Sequence, residues 1–415
     1  MKKYGCIGKK LTHSFSKEIH AKLADYEYEL IELTEDEVKT FFEKKDFCAV
    51  NVTIPYKQTV IPYLDFMSDI ARRIGAVNTV VNKGGKLYGY NTDYHGMKAL
   101  IEKIGISLQG KKVLILGTGG TSKTARVVAT DMGASEILTV SRRNNDESIT
   151  YEEAKSIHSD AHVIINTTPS GMFPDVDSKP IDISVFENLE GVVDVVYNPL
   201  KTNLVSDAKE RKLKAEGGLF MLVMQAVVAV EKFLDTEISK ETAREVFTSV
   251  LSSKENIVLI GMPGSGKSTI GKTLSLKGFE FIDTDNEIEN RCGCPIKEII
   301  ENNGEKYFRD LESEVIREAA SKSGFIISTG GGAILREENV KRLKQNGKLF
   351  FIDAKLSRLC ATEDRPLSNT EEKLKKLYDE RIEIYRRVAD VIIPDMDSVQ
   401  EEAEYIKSKR MELIK

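Results

Sequence analysis

Two glycine-rich stretches carry most of the chemistry of this chain. GMPGSGKS, from Gly261 to Ser268, follows the apolar run NIVLI and opens a helical stretch. Glycines at 261, 264 and 266 let backbone N–H groups converge on phosphate oxygens, Lys267 neutralises the β and γ phosphates, and Ser268 offers a hydroxyl to Mg2+. Ser265 and Thr269 complete the candidate ATP-binding set. The other stretch, GTGGT at 117–121, lies between VLIL and a helix start in the manner of a dinucleotide fold. Gly117, Gly119, Gly120 and Thr121 are its cofactor-binding candidates. At the end of the next strand, TVSRR puts Ser141, Arg142 and Arg143 where NAD-preferring enzymes carry an acidic group, which favours the 2′-phosphate of NADP(H). Asp146 and Glu147 follow closely and blunt that preference. One polypeptide is therefore expected to hold a redox site and a kinase site.

Further candidates flank each loop. FIDTDNEIE ends a strand with Asp283 and Asp285 two residues apart, so extended backbone would project both from one side, one toward magnesium and the other toward a hydroxyl. FRDLE brings Arg309 and Glu312, STGGGA brings Gly330 to Gly332, and RPL and RIEIY bring Arg365 and Arg381. Singly, an arginine is most often a solvated surface residue and a glycine triplet a turn; together, a fork of arginines suits a hydroxy-carboxylate. Upstream of the dinucleotide turn, HSFS at 13–16, NVTIPYK at 51–57, GAVNT at 75–79 and NTD at 91–93 place hydroxyls, amides, one lysine and one aspartate at strand ends. Such a set can hydrogen-bond a polyhydroxylated ring. Taken singly, Lys57 reads as a solvated lysine and Asp93 as a turn residue or helix cap.

In their joint order, DTD, GEKYFRDLE, GGG, RPL and RIEIYRRVA resemble shikimate kinase across 256–415. That resemblance implies that Asp285, Arg309, Arg381 and the Gly330, Gly331 and Gly332 backbone bind shikimate, the two arginines clamping its carboxylate. It also implies that Arg365 closes over the site on a mobile lid, that Asp283 sits near magnesium with Ser268, and that Arg358 lies against adenine. The earlier series, with NTTPSGM, DVVYNPLKT and GLFMLVMQA, resembles shikimate dehydrogenase over residues 1 to about 250. By that resemblance Ser14, Ser16, Thr53, Asn78, Asp93 and Gln225 bind substrate, Lys57 and Asp93 are the catalytic pair, Tyr197 lines the site, and Gly218 joins the cofactor set. The chain departs from the family pattern at Lys10 and Lys17, where proline is usual, at Ala21, where asparagine is usual, and at Ser141 to Arg143, where an Asn-Arg-Thr run is usual. These positions frame the site or touch the cofactor. His13, His20 and His95 are read as structural.

The two family reactions are consecutive, since reduction of 3-dehydroshikimate creates the hydroxyl that the kinase phosphorylates. A bifunctional enzyme using NADP(H), ATP and Mg2+ is expected. The alternatives are a quinate/shikimate dehydrogenase with NAD, or one half retained as a non-catalytic metabolite-binding regulatory module.

The elements that must position these residues follow from the apolar runs. At 415 residues the chain exceeds one ordinary domain. YGCIG, YELIEL, AVNVTI, AVNTVV and KLYGY alternate with helical stretches and predict an α/β substrate domain; VLIL, ILTV, HVIIN and GVVDVVY predict the doubly wound parallel sheet of a Rossmann domain. LFMLVMQAVVAVEKF is too apolar for a surface helix and should pack on a preceding unit. NIVLI, FEFID, FIIS, KLFFID and DVIIP predict a P-loop kinase domain with a five-stranded parallel sheet. The expected boundaries are 1–252 for the dehydrogenase, with substrate-binding parts 1–100 and 218–252 around a dinucleotide part 101–217, and 256–415 for the kinase, divided at the polar stretch SSKEN.

Acidic and basic residues nearly cancel, 65 against 60, so no field draws the chain to nucleic acid or an anionic membrane, and small-molecule partners are expected. Five irregularly spaced cysteines argue against a disulfide framework, and Cys292 and Cys294, read as two small residues in a helical segment, lack the further ligands of a zinc site. The start MKKYGCIG lacks a long apolar core and no run approaches the roughly 20 residues that span a bilayer, so a cytoplasmic location is expected.

Overall fold

The computed structural model describes residues 3–11, 15–143, 147–276, 278–359 and 370–414. By internal contacts the chain divides into two compact units, Met1–Val250 and Leu251–Lys415.

The first unit begins with β1 (Tyr4–Gly8), α1 (Ser16–Leu23), β2 (Tyr28–Glu32), α2 (Glu35–Lys44), β3 (Ala49–Val52), β4 (Phe66–Met67), α3 (Asp69–Ile74), β5 (Thr79–Lys83), β6 (Lys86–Tyr90) and α4 (Asp93–Ile104). The sheet order is β2-β1-β3-β5-β6-β4. β1 runs parallel to β2 and β3, whereas β5 is antiparallel to both β3 and β6. Every residue of β1 is buried, as expected of a strand covered on both faces. Gly84 and Gly85, both at positive φ, make the two-residue hairpin between β5 and β6 that only glycine-like residues form readily. Thr34 and Glu37 close a reciprocal capping box that starts α2.

A second sheet follows through β7 (Lys112–Leu116), α5 (Gly120–Asp131), β8 (Glu136–Ser141), β9 (Ile149–Thr150), α6 (Tyr151–Ser156), β10 (Val163–Asn166), β11 (Gly191–Asp194), α7 (Asn203–Glu210) and β12 (Lys214–Glu216). Its strands, ordered β12-β11-β10-β7-β8-β9, are all parallel. The chain reverses its direction of travel across the sheet between β7 and β10, the place where doubly wound folds bind ligands. α8 (Leu219–Leu234) then packs along α4; a Cβ added at Gly96 would stand 2.5 Å from the Met221 carbonyl oxygen, so glycine allows the approach. The apolar run is thus a buried helix, as its composition demanded. Met97, Leu100 and Ile101 of α4 share one core with Val113 and Ile115 of β7 and Ala125 and Val128 of α5. α9 (Lys240–Lys254) follows.

The second unit holds β13 (Asn256–Ile260), α10 (Lys267–Ser275), β14 (Glu280–Asp283), α11 (Thr284–Cys292), α12 (Ile296–Ser321), β15 (Phe325–Ser328), α13 (Glu337–Asn346), β16 (Gly347–Asp353), α14 (Glu371–Val388), β17 (Val391–Pro394) and α15 (Val399–Ile414). The five runs expected as strands form one parallel sheet, β14-β15-β13-β16-β17. Gly304, at φ 86 and ψ 161, kinks α12 into two segments. Near the end of α15, Arg410 lies over the Phe279 ring and donates to the Ser252 carbonyl and, at 2.9 Å, to that of Glu255.

Three details differ from the sequence reading. Ser252 to Lys254 close α9 in helical conformation, because their polarity does not oppose helix. Cys294 lies in the turn between α11 and α12, since Gly293 ends α11 with left-handed φ. Asp285 is not on extended backbone, for reasons given with the site below. Among the described residues no helix is long and apolar enough to cross a membrane.

Candidate active sites

In the first unit, the segments carrying Lys57 and Asn78 meet at Asp93. Lys57 Nζ donates to Asp93 Oδ2 at 2.6 Å, and Asn78 Nδ2 donates to Asp93 Oδ1 at 2.9 Å. Asp93 is the first residue of α4, where a carboxylate is favoured by the unpaired N–H groups and the dipole of the helix start. Its side chain is 4% exposed and that of Lys57 14%, so both are largely buried and the lysine is the more accessible. Asn78 is itself fixed, with Oδ1 accepting from Thr92 N at 2.7 Å and Nδ2 donating to Thr92 Oγ1 at 3.0 Å.

Behind Asn78 stands a second layer that motif reading left out. Asn51 Nδ2 donates to Thr79 Oγ1 at 3.1 Å, and Asn51 Oδ1 accepts from Tyr28 Oη at 2.7 Å. Tyr28 stacks on His20, ring centroids 3.8 Å apart, and His20 Nδ1 is 2.6 Å from Tyr26 Oη. Burial holds the His20 pKa down at about 3, so the ring is neutral and its role structural, as read. Asn51 was visible inside NVTIPYK, but its function depends on Tyr28, an aromatic with no motif around it.

Ser16 opens α1 and Thr53 follows β3, where its N–H donates to Ile7 O at 3.0 Å. Tyr197 packs against Phe15 with ring centroids 5.2 Å apart, bringing the DVVYNP loop to the HSFS loop, and burial pushes its hydroxyl pKa up to about 12. Gln225 sits on α8 against Gly96, one turn along α4 from Asp93. Ser14 and His13 lie outside the described residues.

The dinucleotide turn lies beside the pair. Gly119 caps α5 and Gly120 is its first residue; a Cβ on Gly120 would be 3.8 Å from Lys57 Cδ, while one on Gly119 would meet nothing within 4 Å. Gly117, at φ 104, turns the chain over Thr167, whose hydroxyl donates back to Leu116 O at 2.6 Å. Thr121 follows on α5. Ser141 orders the next strand end, its Oγ accepting from Arg143 N at 3.2 Å and lying 3.0 Å from Ser148 Oγ. Arg142 is exposed; burial raises the pKa of nearby Tyr151, and Arg142 only partly offsets it. Asp146 lies outside the described residues. Gly218 joins from another direction, donating to Val196 O at 2.8 Å beside the Tyr197 loop.

A buried carboxylate ties the loops after β10 and β11. Asp194 accepts from Asn166 Nδ2 at 3.0 Å, Val196 N at 3.0 Å and Thr202 Oγ1 at 2.7 Å. Burial nevertheless pushes its pKa up to about 6.

In the second unit, the phosphate loop ends in Gly266 at φ 86, and Lys267 starts α10. Lys267 Nζ donates to Gly261 O at 3.0 Å and to Met262 O at 2.8 Å. Ser268 Oγ donates to Asp283 Oδ2 at 2.5 Å, joining the two candidate metal ligands. Asp283 ends β14 and caps α11, its Oδ1 accepting from Asp285 N at 3.1 Å and Asn286 N at 3.3 Å. This corrects the extended reading: the cap turns Asp285 into the first helical turn, because an aspartate before a helix satisfies the free N–H groups there. Asp285 still lines the cleft.

That cleft, about 490 Å³, is lined by Gly264, Gly266, Lys267, Ser268 and Thr269 on one side and by Asp285, Arg309 and Arg381 on the other. Arg309 Nη1 donates to Glu312 at 2.7 Å. Burial opposes the charge of Arg309, but Glu312 and Glu305 outweigh it and its pKa is raised; Arg381 is lowered, chiefly by burial. Burial drives the Asp285 pKa up to about 7, with Asp283 and Glu312 adding to it, and burial also raises Glu312 against the pull of Arg309. Asp285 Oδ1 and Glu312 Oε1 are buried without a hydrogen-bond partner, as is Ser265 Oγ. Unmet buried acceptors are costly, about 1–3 kcal/mol each, so they suit a ligand bearing hydroxyls.

Each glycine of the triplet is needed for close approach. A Cβ would stand 2.5 Å from Asp285 Oδ1 at Gly330, 2.7 Å from Pro263 at Gly331 and 2.2 Å from the Arg309 guanidinium at Gly332. Arg358 is held by Asp395 and by Met396 O. Arg365 lies outside the described residues.

The chain is similar to known proteins. The chain matches the family model "Shikimate dehydrogenase substrate binding domain" over residues 6–80 and the model "Shikimate kinase" over 263–410. It is 37% identical over 265 residues to the shikimate dehydrogenase (NADP(+)) of Clostridium beijerinckii, covering 60% of this chain and 97% of that protein. The crystal structure of shikimate dehydrogenase 1 from Peptoclostridium difficile matches with a TM-score of 0.56 and 34% identity, covering 60% of this chain and 98% of that one. The shikimate 5-dehydrogenase of Thermus thermophilus, solved with NADP(H) and shikimate, matches with a TM-score of 0.53 and 27% identity over 60% of this chain and 99% of that one.

Proposed function

This chain belongs to the shikimate dehydrogenase family and carries a shikimate kinase domain after the dehydrogenase part, and from that premise we propose how its residues divide the work. The protein is a bifunctional enzyme of the shikimate pathway. It reduces 3-dehydroshikimate to shikimate with NADPH and phosphorylates shikimate to shikimate 3-phosphate with ATP and Mg2+. We assign reduction to residues 1–252, with substrate-binding parts 1–100 and 218–252 around a dinucleotide part 101–217, and phosphorylation to 256–415. A cytoplasmic location is part of the same proposal.

NADPH, when bound, supplies hydride to the ketone carbon. The turn fits such a ligand, because Gly119 and Gly120 leave the start of α5 open beside Lys57. Lys57 Nζ donates to the ketone oxygen and delivers a proton there as charge builds. Asp93 keeps the ammonium aimed and balances its charge, while Asn78 keeps Asp93 in place. Ser14, Ser16, Thr53, Asn78, Tyr197 and Gln225 hold the ring and its substituents. Ser141, Arg142 and Gly218 complete the cofactor side.

For phosphorylation, Lys267 leaves its loop carbonyls for the outer phosphates, and Gly261, Gly264, Ser265, Gly266 and Thr269 frame them. Ser268 and Asp283 fit Mg2+, an ion that typically takes one or two protein oxygens and completes its shell with phosphates and waters. Arg309 and Arg381 clamp the substrate carboxylate, Asp285 accepts from a ring hydroxyl, Gly330 to Gly332 admit the ring edge, and Arg365 stabilises the transferring group. Positioning and charge neutralisation are what phosphoryl transfer needs.

The observation that carries this reading is the single cleft shared by the phosphate loop and the paired arginines. The test is one incubation with 3-dehydroshikimate, NADPH, ATP and magnesium, following NADPH loss and ADP formation separately. ADP should appear only after NADPH is consumed. NADPH loss without ADP would reduce the second half to a binding module, and no NADPH loss would point to quinate and NAD.

A further inference from the structure

Tyr385, in the last turn of α14, is fully buried, and its ring lies on Phe351 with centroids 5.0 Å apart and planes 4° apart. Its hydroxyl reaches two backbone carbonyls, Gly331 O at 2.5 Å and Gly261 O at 2.9 Å. Gly261 begins the loop assigned to the nucleotide, and Gly331 is central to the loop assigned to the acceptor. The two loops also press together directly, since a Cβ on Gly331 would be 2.7 Å from the Pro263 ring.

Two further donors meet the same carbonyls. Arg381, one turn earlier on α14, donates to Gly331 O at 2.9 Å, and Lys267 Nζ donates to Gly261 O. A phenol has one proton to give. Arg381 at Gly331 O and Lys267 at Gly261 O leave that proton able to serve either carbonyl, and the hydroxyl stays within hydrogen-bond reach of both loops. One buried oxygen thus spans the joint across which a phosphoryl group must pass.

We infer that Tyr385 is a positioning residue for phosphoryl transfer, its hydroxyl setting the spacing between the nucleotide loop and the acceptor loop. The inference rests on the kinase reading above. In-line transfer requires reacting atoms roughly 3–3.5 Å apart, and an error of about 1 Å can cost on the order of a hundredfold in rate. Phenylalanine at 385 keeps the stacked ring and removes only the bridge.

The experiment compares full-length wild type, Tyr385→Phe and Phe351→Leu. It follows ADP formation from shikimate and ATP without NADP(H), reduction of 3-dehydroshikimate in the same preparations, and thermal melting. Tyr385→Phe should lower kinase kcat about 10-fold or more while KM for ATP and for shikimate stays within about 3-fold, a split that marks an interaction made only in the transition state. Reduction and melting should be unchanged. Phe351→Leu, which loosens the ring but keeps the hydroxyl, should retain more kinase kcat than Tyr385→Phe. A Tyr385→Phe kcat within about 2-fold of wild type overturns the inference. So does an equal kcat loss in Phe351→Leu, or a loss matched by higher KM and lower melting, which would mark a loosened core. Wild type that forms no ADP from shikimate would instead remove the kinase reading.

Discussion

Asp93 accepts from Lys57 Nζ with one carboxylate oxygen, at 2.6 Å, and from Asn78 Nδ2 with the other, at 2.9 Å. The carboxylate is thereby fixed at both ends, and the ammonium it holds is the more exposed partner of the two. An ammonium has three donors, so Lys57 can keep its grip on Asp93 while donating to a substrate oxygen. The order of burial assigns the roles: lysine toward substrate, aspartate behind it.

Lys57→Ala should therefore cut dehydrogenase kcat by about 10²- to 10⁴-fold, the usual weight of a positioned proton donor. KM for 3-dehydroshikimate should move far less, and ADP formation not at all. Steady-state rates of both reactions on one preparation check this; equal loss of both would indicate misfolding.

Lys267→Ala should abolish phosphorylation and spare reduction. Its ammonium rests on the Gly261 and Met262 carbonyls of the phosphate loop, and alanine brings no cation there. Wild-type ADP formation in this variant would remove the phosphate-loop assignment.

Arg381→Lys keeps the charge but loses the planar fork. Because hydrogen bonds to charged groups contribute about 1.5–3 kcal/mol, KM for shikimate in the kinase reaction should rise roughly 10- to 100-fold, with KM for ATP nearly unchanged. An initial-rate grid in both substrates reads the two effects apart. An equal rise in both KM values would place Arg381 outside the substrate clamp.

Asp194 gives a pH signature. Burial raises its folded pKa to about 6 from the ordinary value of 3.8. A raised folded pKa means a stabilising contribution that is complete below the unfolded pKa and is lost as pH rises through the folded one. The dehydrogenase half should therefore lose stability between about pH 4 and 6 from this group, by roughly 3 kcal/mol at most. Melting curves of wild type and Asp194→Asn, which stays neutral at every pH, should lie closest at pH 4 and separate toward pH 6 as wild type alone loses stability; parallel curves would mean that Asp194 titrates as an ordinary carboxyl.

Much of this was legible in the sequence, for different physical reasons in different places. Apolar runs such as VLIL, HVIIN and KLFFID read as strands because parallel strands are buried on both faces. β4, β9 and β12 were missed because two or three residues give no period to read. The phosphate loop and the glycine triplet announce themselves because backbone must approach a ligand or another side chain where no Cβ fits. Asp285 lines the cleft, but by another geometry than its spacing suggested: a separation of two residues read as strand, and the capping carboxylate of Asp283 turned the chain into a helix first. Tyr28, Asp194 and Tyr385 stayed silent because each acts through a long-range partner, and sequence spacing carries no information about a hydroxyl or carboxylate that meets its partners only after the sheets are stacked.

α9 ends at Lys254 and β13 begins at Asn256, and the carbonyls of Ser252 and Glu255 are the acceptors of the buried Arg410 guanidinium. The border between the enzymes is therefore built into one of them. A gene dissection that starts the kinase at its first strand would leave α15 with a cation facing a missing end, whereas a start upstream of Ser252 keeps that joint closed. The residues with the least conspicuous composition, Ser252 to Glu255, thus belong to the packing of the second unit.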